Sequence, residues 1–145
     1  MKLIHATTAD IDYIMTLENT PENVAHIDQW PQEQHEEAFA SEQYDYYILY
    51  NEAGAKLGYI IARLEPDEER VKLQRIVIEE KNQGQGTKAV DAFIEAYRDE
   101  PYKLAYVHVK GGYKPLVQFY HRNGFDEDVN EDFDIYGYTA LSHVF

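Results

Sequence analysis

Residues 75–94 read RIVIEEKNQGQGTKAVDAFI, and this stretch decides the fold. Its apolar start predicts a buried strand, its two glycines predict a turn, and the apolar residues that follow at helical spacing predict a helix. The first turn of a helix leaves backbone N–H groups without partners, and the helix dipole adds partial positive charge there. Gly84 and Gly86 have no side chain to keep a phosphate from that backbone. The stretch therefore predicts a cradle for a phosphate-bearing, nucleotide-like ligand.

The rest of the chain predicts further elements on both sides of this stretch. Central hairpins favour antiparallel strands, whereas the two later strand–helix–strand steps favour parallel neighbours. We therefore expect a single α/β domain over residues 1–145, with a mixed, mostly antiparallel central sheet and helices on both faces. We expect strands at 2–5, 44–50, 56–64, 71–78 and 104–109, with one or two more within 134–144. We expect helices from Thr8 to about Glu18, from Pro31 to about Ala40, from Gly86 to about Arg98 and from Lys114 to about Arg122, with a loop at 19–28.

The charge of the chain is distributed unevenly. The net charge is −14, with −10 in residues 1–55, +2 in residues 56–125 and −6 in residues 126–145. The middle part carries the glycine turn and is the part where an anionic ligand would be tolerated. A nucleic-acid partner is not expected, because phosphate backbones need a basic face.

The sequence lacks the features of an exported or membrane protein. It has no cysteine and no apolar run approaching the roughly 18 residues of a membrane span. The first ten residues contain no signal-peptide core. We therefore expect a cytoplasmic protein without a membrane partner.

Three ligands compete for the glycine turn. A Walker phosphate loop is rejected, because the glycines stand two apart and no lysine follows at the required place. The stretch Gly84-Gln-Gly86-Thr-Lys-Ala89 does satisfy the dinucleotide fingerprint. However, the acids about 20 residues on precede Pro101 at a helix end, and about 80 residues precede the turn. Nicotinamide dinucleotide is therefore the weaker alternative to a third ligand, coenzyme A.

Two motifs carry a resemblance to the GCN5-related N-acetyltransferase (GNAT) superfamily. The stretch Lys81-Asn-Gln-Gly84-Gln-Gly86 is similar to the family signature Arg/Gln-x-x-Gly-x-Gly/Ala, with Lys81 at the first position. The stretch Phe119-Tyr120-His-Arg-Asn-Gly124-Phe125 resembles the closing motif of the family, although Tyr113 stands where many members place Asn. The resemblance covers the whole chain in element order. It implies the acyl-CoA N-acyltransferase fold, in which the sheet splays between its fourth and fifth strands.

The resemblance also implies a reaction and a co-substrate. Acetyl-CoA would donate its acetyl group to a primary amine by direct transfer in a ternary complex. The glycine turn would hold the pyrophosphate, and the backbone of the fourth strand would hold the pantetheine arm. The backbone N–H of Ile78 is the candidate to polarise the thioester carbonyl. The predicted cofactor-binding residues are Ile76, Val77, Ile78, Lys81, Gln83, Gly84, Gln85, Gly86 and Thr87.

Tyr120 is the predicted general acid, since a phenol with a pKa near ~10 can protonate a departing thiolate. The general base stays open. His108 has a suitable titration range, Glu79 lies beside the turn, and a water relay is the third option. Lys72 stands where some relatives carry Glu. We expect no metal, because Phe39 replaces the second histidine of a zinc motif that begins at His35.

The acceptor is predicted from the acidic parts of the chain. The family builds its acceptor site from the first two helices, the edge of the fourth and fifth strands and the last strands. The two helices and the C-terminal segment are acidic here. Acid and aromatic surface together suit a cationic amine, either a small molecule or a peptide N-terminus. The aromatic side chains that we assign to this surface are Trp30, Tyr44, Tyr46, Tyr47, Tyr136 and Tyr138.

Two other functions remain open. A non-catalytic acyl-CoA-binding regulatory protein is one alternative, and a dehydrogenase is another. A homodimer is common in the family, but nothing in the sequence requires one.

Overall fold

The computed structural model describes residues 1–79, 84–99, 101–127 and 137–145. The strands are β1 (Lys2–His5), β2 (Tyr44–Tyr50), β3 (Lys56–Glu65), β4 (Arg70–Ile78), β5 (Leu104–Lys110), β6 (Asp126–Glu127) and β7 (Tyr138–Val144). The helices are α1 (Ile11–Glu18), α2 (Pro21–Val24), α3 (Gln32–Ala40), α4 (Gln85–Tyr97) and α5 (Lys114–Arg122).

The predicted loop at 19–28 contains the short helix α2, and this prediction was wrong. Thr20 is extended and Pro21 occupies the first helical position, where its missing N–H costs nothing. The side chain of Asn23 donates to the Leu17 carbonyl at 2.8 Å and ties α2 to α1. The first helix also differs, because a 3-10 turn at Thr8–Asp10, capped by Thr7, precedes α1. Residues 134–136 of the predicted last strands lie outside the described residues.

The described strands form one sheet in the order β1-β2-β3-β4-β5-β7-β6. Neighbours pair antiparallel except β4 and β5, which run parallel. The β4–β5 ladder extends only from Arg70↔Leu104 to Lys72↔Tyr106, after which the two strands separate. The predicted mixed sheet with a splay between its fourth and fifth strands is therefore confirmed.

A β-bulge interrupts the pairing of β3 with β4. Ile61 lies opposite Arg75 and Ala62 lies opposite Leu73, so Gln74 is the extra residue. Because Ile61 and Arg63 are two residues apart, they share a face of the sheet, and so do their partners Arg75 and Lys72.

Two apolar clusters cover the two faces of the sheet. Phe93 and Tyr97 of α4 join Val107 and Phe125 in one cluster. Ile14 of α1 and Ala38 of α3 pack in the other cluster with residues of β2, β3 and β4. The prediction of helices on both faces is thus confirmed. Within the described ranges no helix is long and apolar enough to cross a membrane.

Tyr46 and Tyr47 belong to these clusters and not to an aromatic surface. They are only 4 % and 8 % exposed. Both faces of β2 are covered, so neighbouring tyrosines are buried on opposite sides of the sheet. The Tyr46 hydroxyl lies 2.9 Å from Nδ1 of His35, and the Tyr47 hydroxyl lies 2.9 Å from that of Tyr97.

Candidate active site

A cleft of about 340 Å³ lies where β4 and β5 separate. Its walls come from the segment between α2 and α3, from β4 and β5, from α5 and from the start of β7. Three of the predicted catalytic and cofactor-binding residues, Ile76, His108 and Tyr120, line it together. The splay of the sheet is therefore what brings these distant residues to one place.

The start of α4 fits the predicted anion cradle. Gly84 precedes the helix with a φ of 75°, a conformation that favours glycine. No described side chain caps this end and its first turn contains no acid, so the N–H groups of Gln85, Gly86 and Thr87 have no intrahelical acceptor. A methyl group on Gly86 would lie 3.2 Å from the Phe119 ring, so the glycine lets α4 approach α5 closely. The predicted residues Lys81 and Gln83 lie outside the described residues.

The three predicted cofactor-binding residues of β4, Ile76, Val77 and Ile78, do not all turn their backbone groups to the same edge of the strand. The N–H of Glu79 donates to the Leu57 carbonyl at 2.8 Å, so it faces β3. Backbone groups alternate along a strand, and those of Ile76 and Ile78 therefore face the opposite edge, toward β5. The Val77 carbonyl faces β3, since a methyl group on Gly58 would lie 1.9 Å from it. Val77 thus turns its backbone away from the gap, and its side chain is buried on the α1 and α3 face.

Tyr120 lies in the closing motif on α5 and reaches the cleft from a buried position. Its residue is 5 % exposed and its ring packs against Phe119 and Phe125, with centroids 5.2 Å and 5.4 Å away. Burial raises the pKa of this phenol. The hydroxyl is consequently protonated at neutral pH, as a general acid must be before it acts.

His108 lies half-buried on β5, in the same cleft. Its ring stands 5.3 Å from that of Tyr106 and 6.1 Å from that of Tyr138. Burial, and then the positive charge of Lys72, lower the pKa of this imidazole to about 4. The ring is therefore neutral at pH 7. Glu79, the other candidate base, lines a separate cleft of about 330 Å³ together with Ile78.

A buried ionic network beside the cleft was missed at the sequence level. The Glu18 carboxylate is fully buried and lies 2.5 Å from Nη1 of Arg75 and 2.6 Å from Nε2 of His35. It also accepts a hydrogen bond of 3.1 Å from the backbone N–H of Trp30. Arg75 donates in turn to the Asp28 carbonyl at 2.5 Å. The network fastens the cleft segment 26–30 to β4, and His35 is one of its members.

The charged side chains of the cleft are mostly paired. The Asp28 carboxylate lies 3.0 Å from Nζ of Lys110 and accepts a hydrogen bond from the Tyr138 hydroxyl. That hydrogen bond, and then Lys110, lower the pKa of Asp28, so it is ionised at neutral pH. Lys72 also lines the cleft, and no described carboxylate lies within ion-pair distance of it. Within the described ranges, no group of three or more His, Asp or Glu side chains is placed to hold a metal.

Comparison with known proteins agrees with this geometry. Residues 11–125 match the profile of the Acetyltransferase (GNAT) family. No curated protein sequence matches the chain.

Solved structures show the same fold at low sequence identity. A spermidine N-acetyltransferase from Vibrio cholerae, in complex with CoA and spermine, superposes with a TM-score of 0.80 at 15 % identity, over 99 % of this chain and 94 % of that one. AAC(6')-Ib in complex with Parmomycin and AcetylCoA gives 0.79 at 18 % identity, over 99 % and 92 %. A domain from Methanocaldococcus jannaschii gives 0.80 at 14 % identity, over 99 % and 97 %.

Proposed function

Because the chain belongs to the acetyltransferase (GNAT) family and is an N-acetyltransferase, we propose that it uses acetyl-CoA to acetylate a primary amine of a small molecule or a peptide N-terminus. Transfer would be direct, within a ternary complex, and residues 1–145 would act as one domain. The observation that carries this proposal is the cleft at the splay of β4 and β5. There a buried phenol, an imidazole and the outward backbone of β4 share one space.

Acetyl-CoA would supply the acetyl group as a thioester, and the chain offers a place for each part of that molecule. The diphosphate suits the N–H groups of Gln85, Gly86 and Thr87, which have no acceptor among the described residues, and Lys81 and Gln83 precede them in the sequence. The backbone of Ile76 and Ile78 faces the edge of β4 that lies toward β5, and this edge suits an extended arm. The N–H of Ile78 would donate to the thioester carbonyl oxygen as negative charge develops on it.

Tyr120 would protonate the sulfur that leaves. Burial keeps its hydroxyl protonated, and no described residue forms a hydrogen bond with that hydroxyl. The proton can therefore pass to a thiolate without first breaking another bond.

His108 would accept a proton from the amine or from an intervening water. Its neutral form at pH 7 has a nitrogen lone pair to offer, but a pKa of about 4 makes it a weak base. The positive charge of Lys72 contributes to that weakness. Any group that offsets this charge would strengthen the base.

Two classes of acceptor follow from different observations. The acidic N-terminal and C-terminal parts of the chain favour a cationic amine. The charges of the cleft itself favour an amine that also carries negative charge. Lys72, Arg75 and Lys110 line the cleft, and Asp28 is the one carboxylate among its described lining residues. Both classes are primary amines, so the proposed reaction is the same for each.

Two measurements test the proposal. Calorimetry with coenzyme A tests the cradle, and release of free thiol from acetyl-CoA with a panel of amines tests the transfer. We expect both to be positive. Coenzyme A binding without thiol release for any amine would indicate a non-catalytic acyl-CoA-binding regulatory protein. Binding of NAD(H) and not of coenzyme A would indicate a dehydrogenase.

A further inference from the structure

Two cations face each other beside the proposed acceptor site. Arg63 on β3 lies directly opposite Lys72 on β4. Side chains at opposed positions of an antiparallel pair have Cβ atoms about 4.5–5.5 Å apart, and like charges there are destabilising. A chain that keeps such a pair is expected to provide it with an anion.

Among the described residues, none provides that anion. Neither side chain forms an ion pair or a hydrogen bond with any of them, and Nε of Arg63 is buried without an acceptor. The nearby acids are engaged elsewhere. Glu65 lies 3.1 Å from Arg70 and accepts a hydrogen bond from Tyr106, and Glu68 lies 2.7 Å from Arg70.

This positive charge, which the Glu65 charge and the Tyr106 ring, 5.9 Å from Nζ, offset only in part, reaches the cleft through Lys72. The other two cations of the cleft are neutralised, Arg75 by Glu18 at 2.5 Å and Lys110 by Asp28 at 3.0 Å. Lys72 is partly buried, and burial followed by the charge of Arg63 lowers the pKa of its ammonium to about 8. A desolvated cation of this kind is stabilised by a bound anion more than a hydrated one would be.

We infer that Arg63 and Lys72 bind an acidic group of the acceptor, so that the acceptor is an amine that also carries a carboxylate or a phosphate. This inference rests on the proposed function. It places the acidic group at the inner end of the β4–β5 ladder, on the same face as His108 and in the cleft that Tyr120 lines. The acceptor would therefore be anchored at one end and would present its amine from the other.

Matched amines test the inference by binding, independently of turnover. Calorimetry on the protein saturated with coenzyme A would compare β-alanine with propylamine, and O-phosphoethanolamine with ethanolamine. The acidic member of a pair should bind at least about tenfold more tightly, which is what one charge-assisted hydrogen-bonded pair contributes. A larger ratio of affinities for β-alanine over propylamine would indicate a carboxylate ligand. A larger ratio for O-phosphoethanolamine over ethanolamine would indicate a phosphate ligand.

Variants of the two cations provide the second arm. Lys72→Gln and Arg63→Gln should each abolish the preference, whereas Lys72→Arg should keep it. Lys103→Gln is the matched control, because Lys103 is 77 % exposed and pairs with Glu69 on the surface. Melting temperatures confirm folding, and removing one of two opposed cations should leave Tm unchanged or raise it.

The outcomes separate this inference from the proposed function. Equal binding of both members of each pair, no binding of either, or a preference that survives both glutamine variants would overturn the inference. Equal binding with thiol release from acetyl-CoA would leave the acetyl transfer intact. A preference that depends on Lys72 and Arg63, without thiol release for any amine, would support the anion site and overturn the acetyl transfer.

Discussion

Replacing Glu18 by glutamine removes the carboxylate that neutralises Arg75 inside the protein. Both side chains are buried, at 0 % and 5 % exposure, and their nearest atoms are 2.5 Å apart. Glutamine has nearly the same shape and can still accept a hydrogen bond from the guanidinium. The substitution therefore removes the negative charge with little change of shape, although its amide N–H₂ then takes the place of the oxygen that lies 2.6 Å from Nε2 of His35.

The expected loss of stability follows from the burial of the pair. Breaking a buried ion pair by removing one partner costs about 3–5 kcal/mol, because the remaining charge is uncompensated. The retained hydrogen bond places Glu18→Gln near the lower end, at about 3 kcal/mol. For a domain of this length, about 2–4 °C is lost per kcal/mol, so Tm should fall by about 6–12 °C.

Thermal and urea unfolding measure this loss, and Glu69→Gln is the control. The Lys103–Glu69 pair has the same 2.5 Å separation but is 77 % and 50 % exposed. Because solvent screens such a pair, its loss should cost less than about 1 kcal/mol. If the two substitutions cost the same, then burial does not govern the Glu18–Arg75 interaction and the reasoning fails.

Three further substitutions test the site. Tyr120→Phe should lower kcat by about 100-fold or more, because general acid catalysis contributes at least that much. The Kd of coenzyme A should stay unchanged. Near-normal turnover would show that the phenol is not the general acid. Lys72→Gln should raise the pKa of His108 from about 4 toward 6.5, measured by NMR titration, because the Lys72 charge contributes to its lowering; an unchanged pKa would contradict this. The same shift predicts that wild-type stability declines as pH falls from about 6.5 toward 4, since the imidazole binds its proton more readily in the unfolded chain. Gly84→Ala should cost about 1 kcal/mol of stability and weaken coenzyme A binding. The control is Gly54→Ala, which has a similar φ of 83° in the β2–β3 turn and should lower stability alone. An equal loss of coenzyme A affinity in both variants would argue against the cradle.

Much of the fold was predictable because its signals are local. The apolar runs of β3 and β4, the glycine turn and the helical spacing after Gly86 each depend on neighbouring residues. The error at Tyr46 and Tyr47 has a physical reason. A tyrosine has a polar end that favours the surface, and the sequence does not reveal that His35 and Tyr97 satisfy these hydroxyls inside the protein.

The candidate site was predictable only where a contiguous motif carries it. Tyr120 and the residues from Gly84 to Thr87 lie in such motifs. Glu18 and Arg75 meet across 57 positions of the sequence, and no spacing rule joins them. Arg63 and Lys72 lie opposite each other only because of the register in which β3 and β4 pair. A shift of that register by one residue would separate them.

The extra residue in β4 changes the spacing of two cationic side chains along that strand and leaves them on one face of the sheet. With Gln74 present, Lys72 and Arg75 face the same side of the sheet, although they are three positions apart. Deleting Gln74 would leave Lys72 and Arg75 two positions apart, which is the same-face spacing of a regular strand, so both would stay on the face that α1 and α3 cover. Engineered relatives should therefore tolerate many amino acids at position 74 and also the loss of that residue.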